Sequence, residues 1–149
     1  LILFLHFLCF NLNTNLSFGS EDNISINEFL CIRQAIVSSG GNFELGFFKP
    51  GNSLNYYIGI WYKKIYPQTV VWVANREKSV DILDSNMSLP VLTFIQGNLV
   101  LLDKNQNSIW SSTHDHYNDT RNNSAIALLG DDDNLILSDA SNTSTLLVL

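Results

Sequence analysis

From Ile36 onward the chain alternates short apolar runs with clusters of Gly, Asn, Asp and Pro: "NFELGFF", "YYIGIWY", "TVVWVANRE", "LPVLTF", "GNLVLLD", "SIWSS", "AIALLG" and "DNLILSD". None of these runs sustains the 3.6-residue period of an amphipathic helix. Their β-branched and aromatic content, with turn signals every 8–12 residues or so, predicts an all-β sandwich, barrel or prism. Aligning the asparagines exposes an internal repeat, "GNFELGF" at Asn42, "GNLVLLD" at Asn98 and "DNLILSD" at Asn134. The first two units are followed, after a polar turn, by Ile-Trp (Ile60-Trp61 and Ile109-Trp110), and three such units imply a pseudo-threefold body. Within the second unit, "FIQGNLVLLD" reads as one strand that sends Leu99 and Leu101 toward the core.

A chain of 149 residues, 46% hydrophobic and 15% charged, has the composition of one compact domain. Its formal charge of −6 comes from 14 acids against 8 bases, and the bases form no stripe that could follow a phosphate backbone. Nucleic acid is therefore excluded as an expected partner.

Residues 1–20 read as a signal peptide with an incomplete start. The opening "LILFLHFLCFNLNTNL" lacks charged side chains, and its apolar run of about ten residues suits an h-region but is too short for a membrane span. Small residues at Ser17–Ser20 supply a cleavage site; the other reading is a buried first strand or helix. Beyond the leader, which holds a sixth at Asn15, five Asn-x-Ser/Thr sequons at Asn23, Asn86, Asn118, Asn122 and Asn142 agree with export and N-glycosylation, giving a secreted or extracellular chain. With Cys9 inside the leader, Cys31 is left alone and reads as a small buried hydrophobe.

The segment "SSGGNFELGFFKPGNSLNYYIGIWYKKIYPQTVVWVANREKSV", then "GNLVLLD", "IWSS" and "LLGDDDNLILSD", resembles the bulb-type lectin domain of plant S-domain receptor-like kinases and S-locus glycoproteins. The resemblance runs over residues 24–145. It implies an all-β fold, a β-prism of three antiparallel four-stranded sheets with pseudo-threefold symmetry, and Trp61, Trp72 and Trp110 in its core. Each tryptophan buries on the order of 200 Å² when inserted, which at about 25 cal/mol/Å² is a large share of a small core. In the family the next strand carries Leu-Trp-Gln-Ser, whereas residues 146–149 read "LLVL" as a truncated end, with Leu at the third tryptophan position. An under-filled core with an open edge would favour self-association.

The family's mannose pattern is Gln-x-Asp-x-Asn-x-Val-x-Tyr, read here as one strand face whose polar groups bond the hydroxyls of one sugar. In the second unit it falls on Phe94, Gln96, Asn98, Val100 and Leu102. In the third it falls on Gly130, Asp132, Asn134, Ile136 and Ser138, and in the first on Ser38, Gly40, Asn42, Glu44 and Gly46. No unit is intact. Gln96, Asn98, Val100, Asp132, Asn134 and Ile136 are therefore expected to form degenerate sugar sites. At about 0.5–1.5 kcal/mol per net hydrogen bond, losing two or three contacts removes useful monosaccharide affinity. The implied partners are cell-wall or glycoprotein glycans or a protein ligand, a second copy or a receptor. The rival reading is a working soluble mannose-binding lectin.

The remaining constellations are weaker. "HDH" (His114–His116) has zinc-ligand spacing but a polar-loop context, and "DDDN" (Asp131–Asn134) reads as calcium site or acidic turn, with the turn favoured. "VANRE" (Val73–Glu77) reads as a turn or ion pair, or as a site. No catalytic arrangement, metal site, cofactor motif or membrane span is expected, and the kinase part of the family has no counterpart in the chain.

Overall fold

The computed structural model describes residues 22–82, 89–112, 124–139 and 144–149. The leader residues, the sequons at Asn86, Asn118, Asn122 and Asn142 and the His114–His116 triplet lie outside these. Thirteen strands follow one another: β1 (Asn23–Ser25), β2 (Phe29–Cys31), β3 (Ala35–Val37), β4 (Phe43–Phe48), β5 (Asn55–Tyr62), β6 (Val70–Val73), β7 (Val80–Asp81), β8 (Val91–Ile95), β9 (Asn98–Leu102), β10 (Ser108–Ser111), β11 (Ala125–Leu129), β12 (Leu135–Asp139) and β13 (Ser144–Val148). All recorded pairings are antiparallel. Among the described residues no helix is long and apolar enough to cross a membrane.

The strands form three sheets, ordered β1-β11-β12-β13, β10-β9-β8-β2 and β3-β4-β5-β6, with β7 also on β5. This is the three-walled β-prism that the resemblance implies. Each repeat unit supplies a meander (β3–β5, β8–β10, β11–β13), because a polar turn separates runs that bury one face. The third sheet has five strands rather than the expected four. The eight residues of β5 outrun β6, which pairs with Gly59–Trp61, so Val80–Asp81 folds back onto Asn55–Tyr56. The reversal is fixed by Asn75, buried at 3% exposure. Its Oδ1 accepts from the Ile58 amide at 2.8 Å, and its Nδ2 donates to the Lys78 carbonyl at 2.8 Å. The asparagine of "VANRE" thus holds a turn.

One apolar cluster joins all three walls: Leu45 and Ile60 from the third sheet, Leu92, Leu99 and Leu101 from the second, Ala127, Leu135 and Leu137 from the first. The two N-terminal strands close the body. β1 adds to the first sheet through Ile24↔Ala127, and β2 adds to the second through Leu30↔Leu92.

The tryptophans divide. Trp72 and Trp110, half-buried, pack against the common core and meet edge to face at 5.9 Å, tying the third sheet to the second. Trp61, 8% exposed, sits opposite Glu44 on the other face of its sheet, whereas Trp110 sits opposite Leu101. The alignment of Ile60-Trp61 with Ile109-Trp110 is therefore one residue out of step in space, which by the strand's period of two turns the indole to the opposite face. In the third unit Leu147 pairs with Leu137, the register position that Trp110 holds against Leu101. Residues 146–149 belong to the sheet: β13 pairs with β12, and Leu149 and Leu135 exchange both backbone hydrogen bonds.

Cys31 corrects the reading of a lone thiol. It is buried and disulfide-bonded.

Candidate functional site

The five-residue pattern does not lie on one strand. "FIQGNLVLLD" is a hairpin: Ile95 pairs with Asn98 across a two-residue turn, and Gln96 and Gly97 have φ of 49° and 76°. Positive φ at both central positions is the hairpin geometry that matches the right-handed twist of the flanking strands. Phe94, one strand earlier, points into the common core beside Leu99, so it belongs to the opposite face from Asn98.

On the outer face of this sheet, Val100 and Leu102 are buried in a second apolar cluster with Cys31 and Val91, and Phe29 packs against it. That face is filled by side chains of β2 and β8. Gln96 is exposed at the turn. Asn98 is half-buried, and its Oδ1 has no hydrogen-bond partner among the described residues. An acceptor shielded from water without a donor is costly.

At the first corner, Ser38 is buried. Its Oγ accepts from the Asn42 and Phe43 amides and donates to Asp131 Oδ1 at 2.6 Å. Along β4, Glu44 Oε2 accepts from the Trp61 indole at 2.9 Å and Oε1 from Lys63 Nζ at 2.8 Å. The rings of Trp61 and Phe48 lie over the paired glycines 46 and 59. A Cβ on Gly59 would come within 2.6 Å of Phe48, and one on Gly46 within 3.1 Å of Trp61. Of this unit's pattern positions, Gly46 is thus covered by the Trp61 ring and Glu44 is engaged by the same indole.

At the third corner Asp132 and Asn134 occupy the turn between β11 and β12, with Asn134 Nδ2 donating to Asp132 Oδ2 at 2.8 Å. Ile136 and Ser138 follow, half-buried on the outer face. Of the three corners this one keeps an acid and an amide adjacent and open. The neighbouring Asp131 turns away to bind the first corner, accepting from Ser38 Oγ, Ser39 Oγ at 3.1 Å and the Gly40 amide at 2.8 Å. These bonds, led by that from Ser38, hold its carboxyl below the ordinary carboxylate range. The acidic turn is a staple between two units, and no group of three or more metal-ligating side chains forms among the described residues.

The depressed pKa sets a sign for acid. A group titrating lower when folded contributes stability that is present above its unfolded pKa, near 4, and fades as pH falls through the folded value. Asp131→Asn is therefore expected to lower the urea midpoint at pH 7, and the gap to the parent should shrink steadily below about pH 4. Parallel urea titrations from pH 7 to pH 2.5 test this; a gap independent of pH would refute it.

Residues 69–148 match the family model described as D-mannose binding lectin, just over half of the chain. This chain belongs to that family. Two G-type lectin S-receptor-like serine/threonine-protein kinases of Arabidopsis thaliana are similar to it. One is 47% identical over 133 residues, covering 88% of the chain and 15% of the kinase; the other is 41% identical over 140 residues, covering 94% and 16%. The chain therefore spans about a sixth of the length of these relatives. Among solved structures, the Japanese Marasmius oreades lectin aligns with a TM-score of 0.59 over 89% of this chain and 91% of that one; at 16% identity this likeness speaks to the lectin fold alone. For this lectin-family chain, the alignments of 133 and 140 residues with the two relatives extend beyond the 69–148 span of the matched model.

Proposed function

We propose that the chain is a non-catalytic recognition module of the S-domain receptor-kinase type, secreted or presented outside the cell, whose mannose faces are degenerate. The observation that carries this reading is the second corner, where Val100 and Leu102 pack into apolar neighbours on the face a sugar would need. Glycans of the cell wall or of glycoproteins, a protein ligand, a receptor partner or a second copy are the partners this class of module takes. N-glycans at Asn23, Asn86, Asn118, Asn122 and Asn142 fit the same setting. The kinase activity named for the relatives is assigned to the part of those proteins that the chain does not cover.

The open Asp132–Asn134 pair favours one second reading, a working mannose lectin. Calorimetric titration with mannose separates the two. The degenerate reading expects no saturable binding at millimolar sugar, a level worth only about 4 kcal/mol. Ser138→Tyr, which restores the last pattern position at the corner that keeps Asp132 and Asn134, should then bring measurable binding. Saturable binding by the unaltered chain, abolished by Asn134→Ala, would establish the lectin reading instead. Phe94 and Leu102 are unsuitable sites for restoration, since both are buried and polar replacements there would injure the core.

A further inference from the structure

An open groove of about 610 Å³ runs along β6 on the third sheet. Its apolar walls come from Phe48, Pro50, Val70 and Val73, and its charged groups are Lys49 and Arg76. Among the described residues no acid lines it, although the chain as a whole carries 14 acids against 8 bases. Lys49 and Arg76 are both exposed, so their charges are available to a ligand.

We propose that this groove binds an acidic oligosaccharide, with sugar C–H faces against the apolar walls and carboxylates paired with Arg76 and Lys49. Arg offers a planar fork matched to a carboxylate and Lys a mobile point charge, which together tolerate the spacing of acidic groups along a sugar chain. The same groove is poorly suited to an added peptide strand. β6 ends its sheet, but its register slips between Trp61↔Val70 and Ile60↔Trp72, leaving Val71 as a bulge that interrupts the regular row of edge donors and acceptors. This site rests on the reading of the chain as a carbohydrate-recognition module but not on the five-residue patterns of the three corners, none of whose positions lines it.

The test titrates the chain with a galacturonic acid trimer, the same trimer with its carboxyls reduced, a sulfated oligosaccharide of equal length and a glutamate-rich peptide. Saturable binding of the uronate is expected, weakened by about tenfold or more on carboxyl reduction and by Arg76→Glu or Lys49→Glu. Arg33→Glu, the same charge change on an exposed turn elsewhere, should leave it within about twofold. Equal binding of the sulfated sugar would place sulfate in the same ligand class, consistent with recognition of an acidic sugar. Equal binding of the reduced trimer or of the peptide, an Arg33→Glu effect as large as that of Arg76→Glu, or no uronate binding at low salt would each overturn the proposal. Asn134→Ala, which disables the third corner, should not alter uronate binding. A failure at the groove is thereby kept apart from a failure of the mannose reading.

Discussion

Trp110→Ala is expected to lower the unfolding free energy by about 3 kcal/mol, toward the lower end for a tryptophan because the ring is half-buried. Against a total of roughly 5–15 kcal/mol for a domain of this kind, that is a large fraction. Two effects add: the lost apolar burial against the common core, and the lost edge-to-face contact with Trp72 at 5.9 Å. The contact is separable by a double-mutant cycle with Trp72→Ala, in which an aromatic pair of this geometry should show a coupling of about 0.5–1.5 kcal/mol. Urea denaturation of the four proteins measures both quantities. Strict additivity would mean that the two rings do not tie the second and third sheets together.

A carboxylate placed at Ile24 is expected to abolish folding. Ile24 is 2% exposed and is the inward residue of β1, so Ile24→Asp must leave an unpaired charge in the core, at several kcal/mol, or unseat the strand. Unseating β1 removes one strand from the first sheet and uncovers the inner edge of β11. Asn27→Asp, an exposed position two residues beyond the strand, gives the control and should change the midpoint little. Circular dichroism and dispersion of amide resonances distinguish the outcomes. A cooperative transition retained in Ile24→Asp would show that the sheets close without their N-terminal strand.

Much of this architecture was legible because the meanders repeat. Each has a six- or five-residue strand behind an Asn, and burying Leu99 and Leu101 requires only the period of two that the sequence displays. The three-residue strands β1 and β2 escaped, since Asn23–Ser25 and Phe29–Cys31 are too short to show any period; pairing with distant partners alone makes them strands. "FIQGNLVLLD" misled for a different reason. Hairpin turns with two positive φ values favour Asn-Gly or Asp-Gly, and Gln-Gly hid the reversal inside an apolar run. The glycine after a polar residue was the available signal. Trp61 misled because two Ile-Trp pairs at similar spacing suggested equivalence, whereas the register differs by one residue. Neither the Ser38–Asp131 staple, spanning 93 residues of sequence, nor the groove along β6 has a sequence signature, because each is assembled from separate turns brought together by the sheets.

The closing strands also dictate an order of assembly. Ile24 finds Ala127 and Leu30 finds Leu92, partners separated by about a hundred and about sixty residues. A growing chain must therefore carry its first two strands unpaired until most of the remainder has been made. Contacts of such separation slow the final collapse, since the entropy of closing the intervening chain precedes any reward from the new pairing. While it waits, the arm displays Ile24, Leu30 and the half-buried Phe29 to whatever surrounds it, so a holding factor in the folding compartment would find its strongest foothold on the newest chains. The last step of maturation is then the docking of β1 and β2, strands made before every partner they need.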